Sequence, residues 1–284
     1  MDEKQRRLHQ LMDEYADGDV AVAFSGGADS GLLLKLAVIH AKEKGTQVLA
    51  VTAGTELHPA EDMEIARKVA LEMGAEHMVL EVRELQAAGI ERNPVDRCYR
   101  CKKYLFKAVK DAAKQAGAKV VLDGTNADDL KQYRPGLRAL EELGIQSPLK
   151  EAGLTKTQVR QLAEEYGISV ANRPAAPCLA TRFPYGETLT VDKLRRVGQG
   201  EDYLKGLGLY NVRLRVHGDV ARIEADEKDL ERLVGERKDI ARKLKALGYG
   251  YVTLDLEGFR SGSMDEGLPC RVKEETKRGT GQKL

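Results

Sequence analysis

The sequence predicts an α/β fold in which a domain built on a parallel sheet is followed by a smaller α+β domain. Two observations support this prediction: strand-like and helix-like segments alternate over the first half of the chain, and the pattern changes beyond residue 190. Strands separated by helices of about 10–15 residues are typical of a parallel sheet covered on both faces. The 284 residues give room for one domain of about 150–200 residues and a smaller partner.

The first half of the chain is predicted to contain four strands with helices between them. The first strand is apolar on both faces, as expected inside a parallel sheet. The strands are predicted at 19–24, 47–52, 77–82 and 119–122, and the helices at 2–16, from the glycine-rich turn to 44, at 59–73 and at 102–116. Ligands bind beyond the carboxyl ends of such strands, so the loops after Phe24, Thr52, Val82 and Leu122 are predicted to carry function.

The second half is predicted to begin with a helix at 155–166 and a proline-rich loop at 170–186. Three prolines in 11 residues exclude regular structure there, so this loop is either a linker or an ordered active-site loop. The following segments, at 191–205, 212–216, 221–225, 228–247 and 251–256, predict the order helix, strand, strand, helix, strand. Domains are therefore predicted at 1–187 and 188–270, and the polar residues 271–284 are predicted to be a disordered tail.

Composition narrows the class of protein. The net charge of +1 argues against a dedicated nucleic-acid binder, which usually has a clear basic excess. We expect a cytoplasmic enzyme, because no apolar run is long enough to span a membrane and the first residues lack a secretory signal. The four cysteines are too few for a disulfide scaffold, so they are expected to be reduced, catalytic or metal-binding.

A glycine-rich loop, SGGADS (Ser25–Ser30), joins the first strand to the following helix. Backbone N–H groups freed by Gly26 and Gly27, a serine hydroxyl and the helix N-terminus together favour phosphate binding. The loop lacks the lysine of the GxxxxGK[ST] motif. The alternative is a simple strand-to-helix turn capped by Asp29 or Ser30.

A second polar loop, 123–129, follows the fourth strand and is expected at the same edge of the sheet. Gly124 permits close backbone approach, and Asn126 and Asp128 are candidates for binding ribose, metal or substrate. An ordinary turn rich in Asp and Asn is the alternative.

Cys98 and Cys101 form a CxxC pair that leads into a helix. Residues at i and i+3 share a helix face, so the pair can bind a metal ion or a cluster. Four cations within seven residues favour the thiolate form. Without a second CxxC a zinc ribbon with four cysteines is excluded, but a mixed zinc site that adds Cys178 and a histidine, or Cys270, remains open.

The SGGADS loop resembles that of the ATP pyrophosphatases, which split ATP into AMP and pyrophosphate. The resemblance implies a PP-loop fold, similar to the adenine-nucleotide alpha-hydrolases, with ATP held by Ser25, Gly26, Gly27 and Ser30. It also implies that Asp29 helps to place Mg²⁺ and that a carboxylate or carbonyl oxygen is adenylated.

The segment PCLATR (177–182) resembles the P-C-L-A-[ST]-R motif of the LarE family of pyridinium-3,5-biscarboxylic acid mononucleotide sulfurtransferases. The likeness spans nearly the whole chain and includes the blocks NPVDRCYRCK, DGTNADD, PCLATRFPYGE, GDVARIE and GYVTLDLEGFRSGS. It implies an ATP-dependent enzyme that converts the carboxylates of this small mononucleotide to thiocarboxylates. The product belongs to the synthesis of the nickel-pincer nucleotide that lactate racemase uses.

Within that family the residue at the position of Cys178 delivers sulfur, and members with this cysteine alone sacrifice its sulfur. Because this chain also has Cys98 and Cys101, it resembles the branch in which three cysteines hold a [4Fe–4S] cluster. Three protein ligands leave one iron open to a transferable sulfide, whose donor is unknown. No role is assigned to Cys270.

The second domain supplies the remaining candidates, again by resemblance. Glu201 lies at the position of a family carboxylate and is a catalytic candidate. Arg213 and Arg215 alternate along a strand and are candidates for holding the substrate phosphate, although an ordinary solvent-facing strand is the alternative. The resemblance also implies a homo-oligomer.

Three other functions remain open. A tRNA thiolation enzyme shares the ATP loop and a three-cysteine cluster, but it needs a large basic surface for RNA. An amide-forming synthetase of the same superfamily needs no cysteine triad. A zinc-stabilised nucleotide-binding module without catalysis is the third.

Overall fold

A computed structural model describes residues 2–131, 134–174, 177–260 and 262–278. Its larger sheet contains four strands in the order β3-β2-β1-β4, and every pairing is parallel. The strands are β1 (Val20–Ala23), β2 (Val48–Thr55), β3 (Glu76–Val82) and β4 (Val120–Leu122). The predicted parallel α/β sheet is confirmed.

Helices cover both faces of this sheet. Those of the first part of the chain are α1 (Glu3–Tyr15), α2 (Ala28–Lys44), α3 (Ala60–Met73), α4 (Glu84–Ala87), α5 (Arg97–Gln115), α6 (Gly136–Leu143), α7 (Pro148–Glu151) and α8 (Lys156–Glu165). One core is built mainly from α1, α2, α3 and α8 against the sheet, and a second from α5 and α6 against the other face. Because both faces are covered, an exposed ligand site must lie at the strand ends.

A smaller sheet follows, with the order β5-β6-β7. Strands β5 (Val212–His217) and β6 (Val220–Ala225) form an antiparallel hairpin, and β7 (Tyr251–Leu254) pairs with β6 in parallel. The helices α9 (Val191–Gly206), α10 (Leu230–Gly235) and α11 (Arg237–Ala246) accompany it. Its core also includes Leu57, Leu85 and Ile90, so the two parts of the chain share apolar packing.

The structure differs most from the predicted elements in three places. Helix α5 begins at Arg97, five residues before the predicted 102, because a turn at Pro94 and Asp96 starts it. The helix predicted at 228–247 is broken between α10 and α11, next to Gly235, which lowers helix stability.

The predicted disordered tail is the third difference. A helix, α12 (Cys270–Arg278), covers much of it, and 279–284 lie outside the described residues. The buried residue Thr276 contacts α6, where Arg138 donates to its carbonyl oxygen. Polar contacts of this kind leave no apolar pattern in the sequence. Among the described residues, no helix is both long enough and apolar enough to cross a membrane.

Candidate active site

The SGGADS loop forms a compact turn between β1 and α2. The backbone N–H of Ser25 donates to Ser30 Oγ at 3.2 Å, and the two serine hydroxyls lie 3.1 Å apart. Gly26 has φ +69°, and a Cβ there would lie 3.1 Å from the backbone Cα of Ala66 in α3. Only glycine suits this conformation and this close approach. The loop therefore presents backbone N–H groups at a helix N-terminus, as an anion site requires.

The loop after β4 packs directly on the SGGADS loop. A Cβ on Gly124 would lie 2.8 Å from the backbone nitrogen of Ser30, so the two loops touch through their backbones. Asn126 donates to Asp29 Oδ1 at 3.2 Å. Asp128 instead accepts from the backbone N–H of Lys156 at 2.9 Å and anchors the start of α8. The structure thus joins Gly124 and Asn126 to the SGGADS loop, while the Asp128 carboxylate binds α8.

Two cations that sequence reasoning did not select also reach this loop. The Lys156 ammonium forms an ion pair with Asp29. Arg173 donates to the carbonyl oxygen of Gly26 at 3.4 Å and pairs with Asp62 at 2.6 Å. Both residues lie outside recognisable motifs, so only their partners in space reveal them. Their charges suit a site for a polyphosphate.

Two segments far apart in sequence bring three cysteines together. Cys98 and Cys101 lie in the first turn and a half of α5, and Cys178 precedes a 3₁₀ turn at Leu179–Arg182. All three are partly exposed. Burial raises the pKa of the Cys98 thiol. The charge of Arg97 opposes this rise, and the charge of Cys178 adds to it. Burial, followed by the charges of Cys178, Glu84 and Cys98, raises the pKa of Cys101 well above its usual value. Cys101 and Cys178 also pack against the same apolar core.

The cysteine group lies at the same sheet edge as the SGGADS loop. After β2, the carbonyl oxygen of Leu57 accepts from the N–H of Leu179 at 2.8 Å, next to Cys178. After β3, the buried Glu84 accepts from the N–H of Leu57 at 3.1 Å. After β4, Asp123 lies 3.9 Å from the ammonium of Lys102, the neighbour of Cys101. The ends of β2 and β4 therefore contact cysteine-bearing segments, and the end of β3 is hydrogen-bonded to the end of β2.

Open space is available at this edge. A cavity of about 620 Å³ lies at the ends of β2 and β3. It is lined by Gly54, Thr55, Glu56, Glu81, Val82 and Arg83. It therefore adjoins Glu84, which binds the β2 end at Leu57 and whose charge raises the pKa of Cys101.

Glu201 is almost fully buried, and both of its carboxylate oxygens accept hydrogen bonds. Its two carboxylate oxygens accept from Arg182 Nε and Nη2, both at 2.8 Å, and one also accepts from the N–H of Leu214 at 2.9 Å. Burial acts to raise its pKa, but the hydrogen bonds and the charge of Arg182 outweigh this effect and hold the pKa below its usual value. Arg182 also donates to the carbonyl oxygens of Pro177 and Cys178, at 2.9 and 3.3 Å. Glu201 thus fixes the arginine that holds the Cys178 segment.

Arg213 and Arg215 are both buried, so the alternative of a solvent-facing strand is wrong for them. Arg215 binds Glu224 at 2.9 Å and donates to the carbonyl oxygen of Thr181 at 2.9 Å. The Arg213 guanidinium lies 5.3 Å from the ring centre of Phe259. Burial lowers the pKa of Arg213 to about 10, which leaves it protonated at neutral pH. The contacts of Arg215 with Glu224 and Thr181 are structural and support the Cys178 segment.

The chemistry of the three cysteines can be compared with what a metal ion and a cluster each require. Within the described ranges, no three His, Cys, Asp or Glu side chains converge as a single metal ion would require. In an iron–sulfur cluster each cysteine binds a different iron, so the thiolates need not converge on one point. Three neighbouring thiols with Arg97 and Lys102 beside them fit an anionic cluster.

Comparisons with known proteins show which families this chain resembles. The asparagine synthase family model matches residues 10–200. The chain is 42% identical to a pyridinium-3,5-bisthiocarboxylic acid mononucleotide synthase of Lactiplantibacillus plantarum, over 88% of this chain and 90% of that protein. It is 38% identical to an uncharacterised protein of Synechocystis, over 92% and 98% of the two chains. A tRNA-specific 2-thiouridylase of Parvibaculum lavamentivorans is 28% identical over 63% of this chain and 53% of its own.

Proposed function

The chain belongs to the LarE family of the PP-loop ATP pyrophosphatases, and from this membership we propose that it is an ATP-dependent sulfurtransferase acting on pyridinium-3,5-biscarboxylic acid mononucleotide. The product is the thiocarboxylate used in nickel-pincer cofactor biosynthesis. The observation that carries the proposal is the sheet edge shared by the SGGADS loop and the cysteine group. Of the relatives compared, the one named for this chemistry is matched over most of both chains, whereas the tRNA-modifying one is matched over about half of its length.

In the first step, a substrate carboxylate oxygen attacks the α-phosphorus of ATP, and pyrophosphate leaves. The N–H groups of the SGGADS loop, with Lys156 and Arg173, would bind the departing pyrophosphate. Asp29 fits a Mg²⁺ ligand, because its carboxylate is partly exposed at the N-terminus of α2 and Asn126 orients one oxygen. Mg²⁺ would supply charge neutralisation there.

In the second step, a sulfur nucleophile attacks the acyl carbon of the adenylate, and AMP leaves. Cys98, Cys101 and Cys178 would hold a [4Fe–4S] cluster, which supplies an iron with an open position for sulfur. The chain itself contributes the position of the thiols and the cations Arg97 and Lys102 beside them. Sulfide would come from an external donor.

The substrate phosphate is assigned to the second part of the chain. We propose Arg213 as its main partner, because it is protonated and lies on the same strand as Arg215, which supports the Cys178 segment. Glu201 acts on the reaction through Arg182. The proposed division of the chain is 1–187 for ATP and cysteines and 188–270 for substrate and assembly, working in the cytoplasm as a homo-oligomer.

Anaerobic purification tests the proposal. The wild-type chain should contain iron and acid-labile sulfide, release AMP and pyrophosphate with the mononucleotide, and form thiocarboxylate. Cys98→Ala and Cys178→Ala should lose iron and sulfur transfer, whereas Cys270→Ala, whose cysteine is exposed, is the matched control. A Cys178→Ala protein that keeps full sulfur transfer would refute the proposal. One equivalent of zinc without iron would support the zinc module, and tRNA binding at physiological salt would support the thiolation enzyme.

A further inference from the structure

Asn93 occupies an unusual position five residues before Cys98. It is fully buried, and its φ of +45° lies in the left-handed region. Among the described non-glycine residues it alone has a positive φ. Such a conformation costs roughly 1–3 kcal/mol in a non-glycine residue and persists only where surrounding contacts fix it.

The contacts of Asn93 join the two cysteine-bearing segments. Its Nδ2 donates to the carbonyl oxygens of Phe183 at 3.0 Å and Pro184 at 2.8 Å, which follow Cys178 by five and six residues. Its backbone carbonyl accepts from the N–H of Gly186 at 3.1 Å. One asparagine therefore binds the segment of Cys178 to the segment of Cys98 and Cys101 through three hydrogen bonds.

Arg97 extends these contacts to the thiols. Its Nη1 donates to Asn93 Oδ1 at 3.0 Å, and its guanidinium lies 4.5 Å from the ring centre of Tyr185. The residue is 4% exposed, and its Nε is a buried donor without a partner in the described structure. Its charge interacts with the thiols of Cys98 and Cys178. An anionic sulfur group bound by these cysteines would give the Arg97 Nε donor a hydrogen-bond partner.

We infer that Asn93 is a positioning residue that sets the distance between Cys178 and the Cys98–Cys101 pair, and that it aligns Arg97 beside them. This inference rests on the proposed role of the three cysteines. Asn93 is fully buried, and it acts through the cysteines that it positions. Its buried amide and left-handed backbone show that the local fold is built around this contact.

The test replaces Asn93 with Asp, which has the same shape, tolerates a positive φ and keeps an acceptor for Arg97, but cannot donate to Phe183 or Pro184. The matched control is Asn211→Asp: the Asn211 amide donates to Asp226 at 3.1 Å in the smaller domain, so the same change also breaks a bond there. Changes to residues that orient metal ligands typically lower activity or metal affinity about 10–100-fold. We expect Asn93→Asp to lower sulfur transfer and iron content by that factor, while AMP formation changes little.

A second measurement uses the cluster-free protein. Dibromobimane links two thiols only when they are close, and peptide mapping identifies links that include Cys178. Asn93→Asp should lose these links, and Asn211→Asp should keep them. Asn93→Gly, which accepts the positive φ without strain, should behave like Asn93→Asp and guards against failure of the latter to fold.

Wild-type cross-linking and iron content in Asn93→Asp and Asn93→Gly would overturn the inference. So would a loss of sulfur transfer matched by an equal loss of AMP formation, since a general weakening of the fold lowers both. A wild-type protein that holds no iron would refute the proposed function instead, and the cross-linking of cluster-free protein would still decide the role of Asn93.

Discussion

Replacing Glu201 with Gln gives the strongest prediction about stability. Arg182 and Glu201 are only 4% and 2% exposed in their side chains, and they share two hydrogen bonds of 2.8 Å. The variant leaves a buried guanidinium without a counter-charge. Removing one member of a buried ion pair costs about 3–5 kcal/mol of unfolding free energy. At about 2 °C per kcal/mol for a chain of this size, the melting temperature should fall by about 6–10 °C.

Urea unfolding and calorimetry of Glu201→Gln, Arg182→Met and the double variant measure this effect. The double variant should lose less than the sum of the single variants, because it removes both charges. The pKa of Glu201 is lowered from 4.5 in the native state, so its contribution is present at neutral pH and lost as pH falls below about 4.5. Glu201→Gln should lack this acid-sensitive part. A loss below about 1 kcal/mol, the value of an exposed pair, would refute the reasoning.

Three further predictions concern the ATP loop and the helices behind it. Gly124→Ala should strongly lower AMP formation and reduce the free energy of unfolding by about 1–3 kcal/mol, because a Cβ would push against the SGGADS loop. Gly206→Ala is the control, since Gly206 has open space around it and the change should have neither effect. Lys156→Met should raise the KM for ATP about tenfold, because the variant loses one hydrogen bond from a charged group to the phosphates. An unchanged KM would show that Lys156 does not contact them. Burial and a neighbouring histidine lower the pKa of His9 from 6.5, so stability should decrease as pH falls from about 6.5 through the native value. His9→Gln should flatten that dependence in urea titrations, and an identical slope would contradict it.

Local patterns were enough to predict much of the fold. Alternating strands and helices predicted the parallel sheet, and the glycines of the SGGADS loop predicted its turn, because these signals depend on neighbours in sequence. The predicted order of elements after residue 190 also matches the structure, except that two helices, α10 and α11, replace one. Helix α12 was missed, because its packing uses polar groups such as Arg138.

Partners distant in sequence could not be predicted. The sequence selects Glu201 as a catalytic candidate, but its carboxylate is bound by Arg182, 19 positions away. Lys156 was passed over because nothing in its neighbourhood shows that it meets Asp29, 127 positions away. Residue types and spacing identify the chemistry available, whereas pairing in space decides which groups are engaged.

The separation of the cysteines along the chain has a consequence for biogenesis. Cys98 and Cys101 emerge from the ribosome some 80 residues before Cys178, whose segment is held by Asn93 from the first half of the fold and, through Arg182, by Glu201 from the second. A newly made chain can offer its full set of thiols only after both halves have docked. In the proposed function, metal acquisition is thereby coupled to completion of the tertiary structure, and an incompletely folded chain would offer iron no finished site.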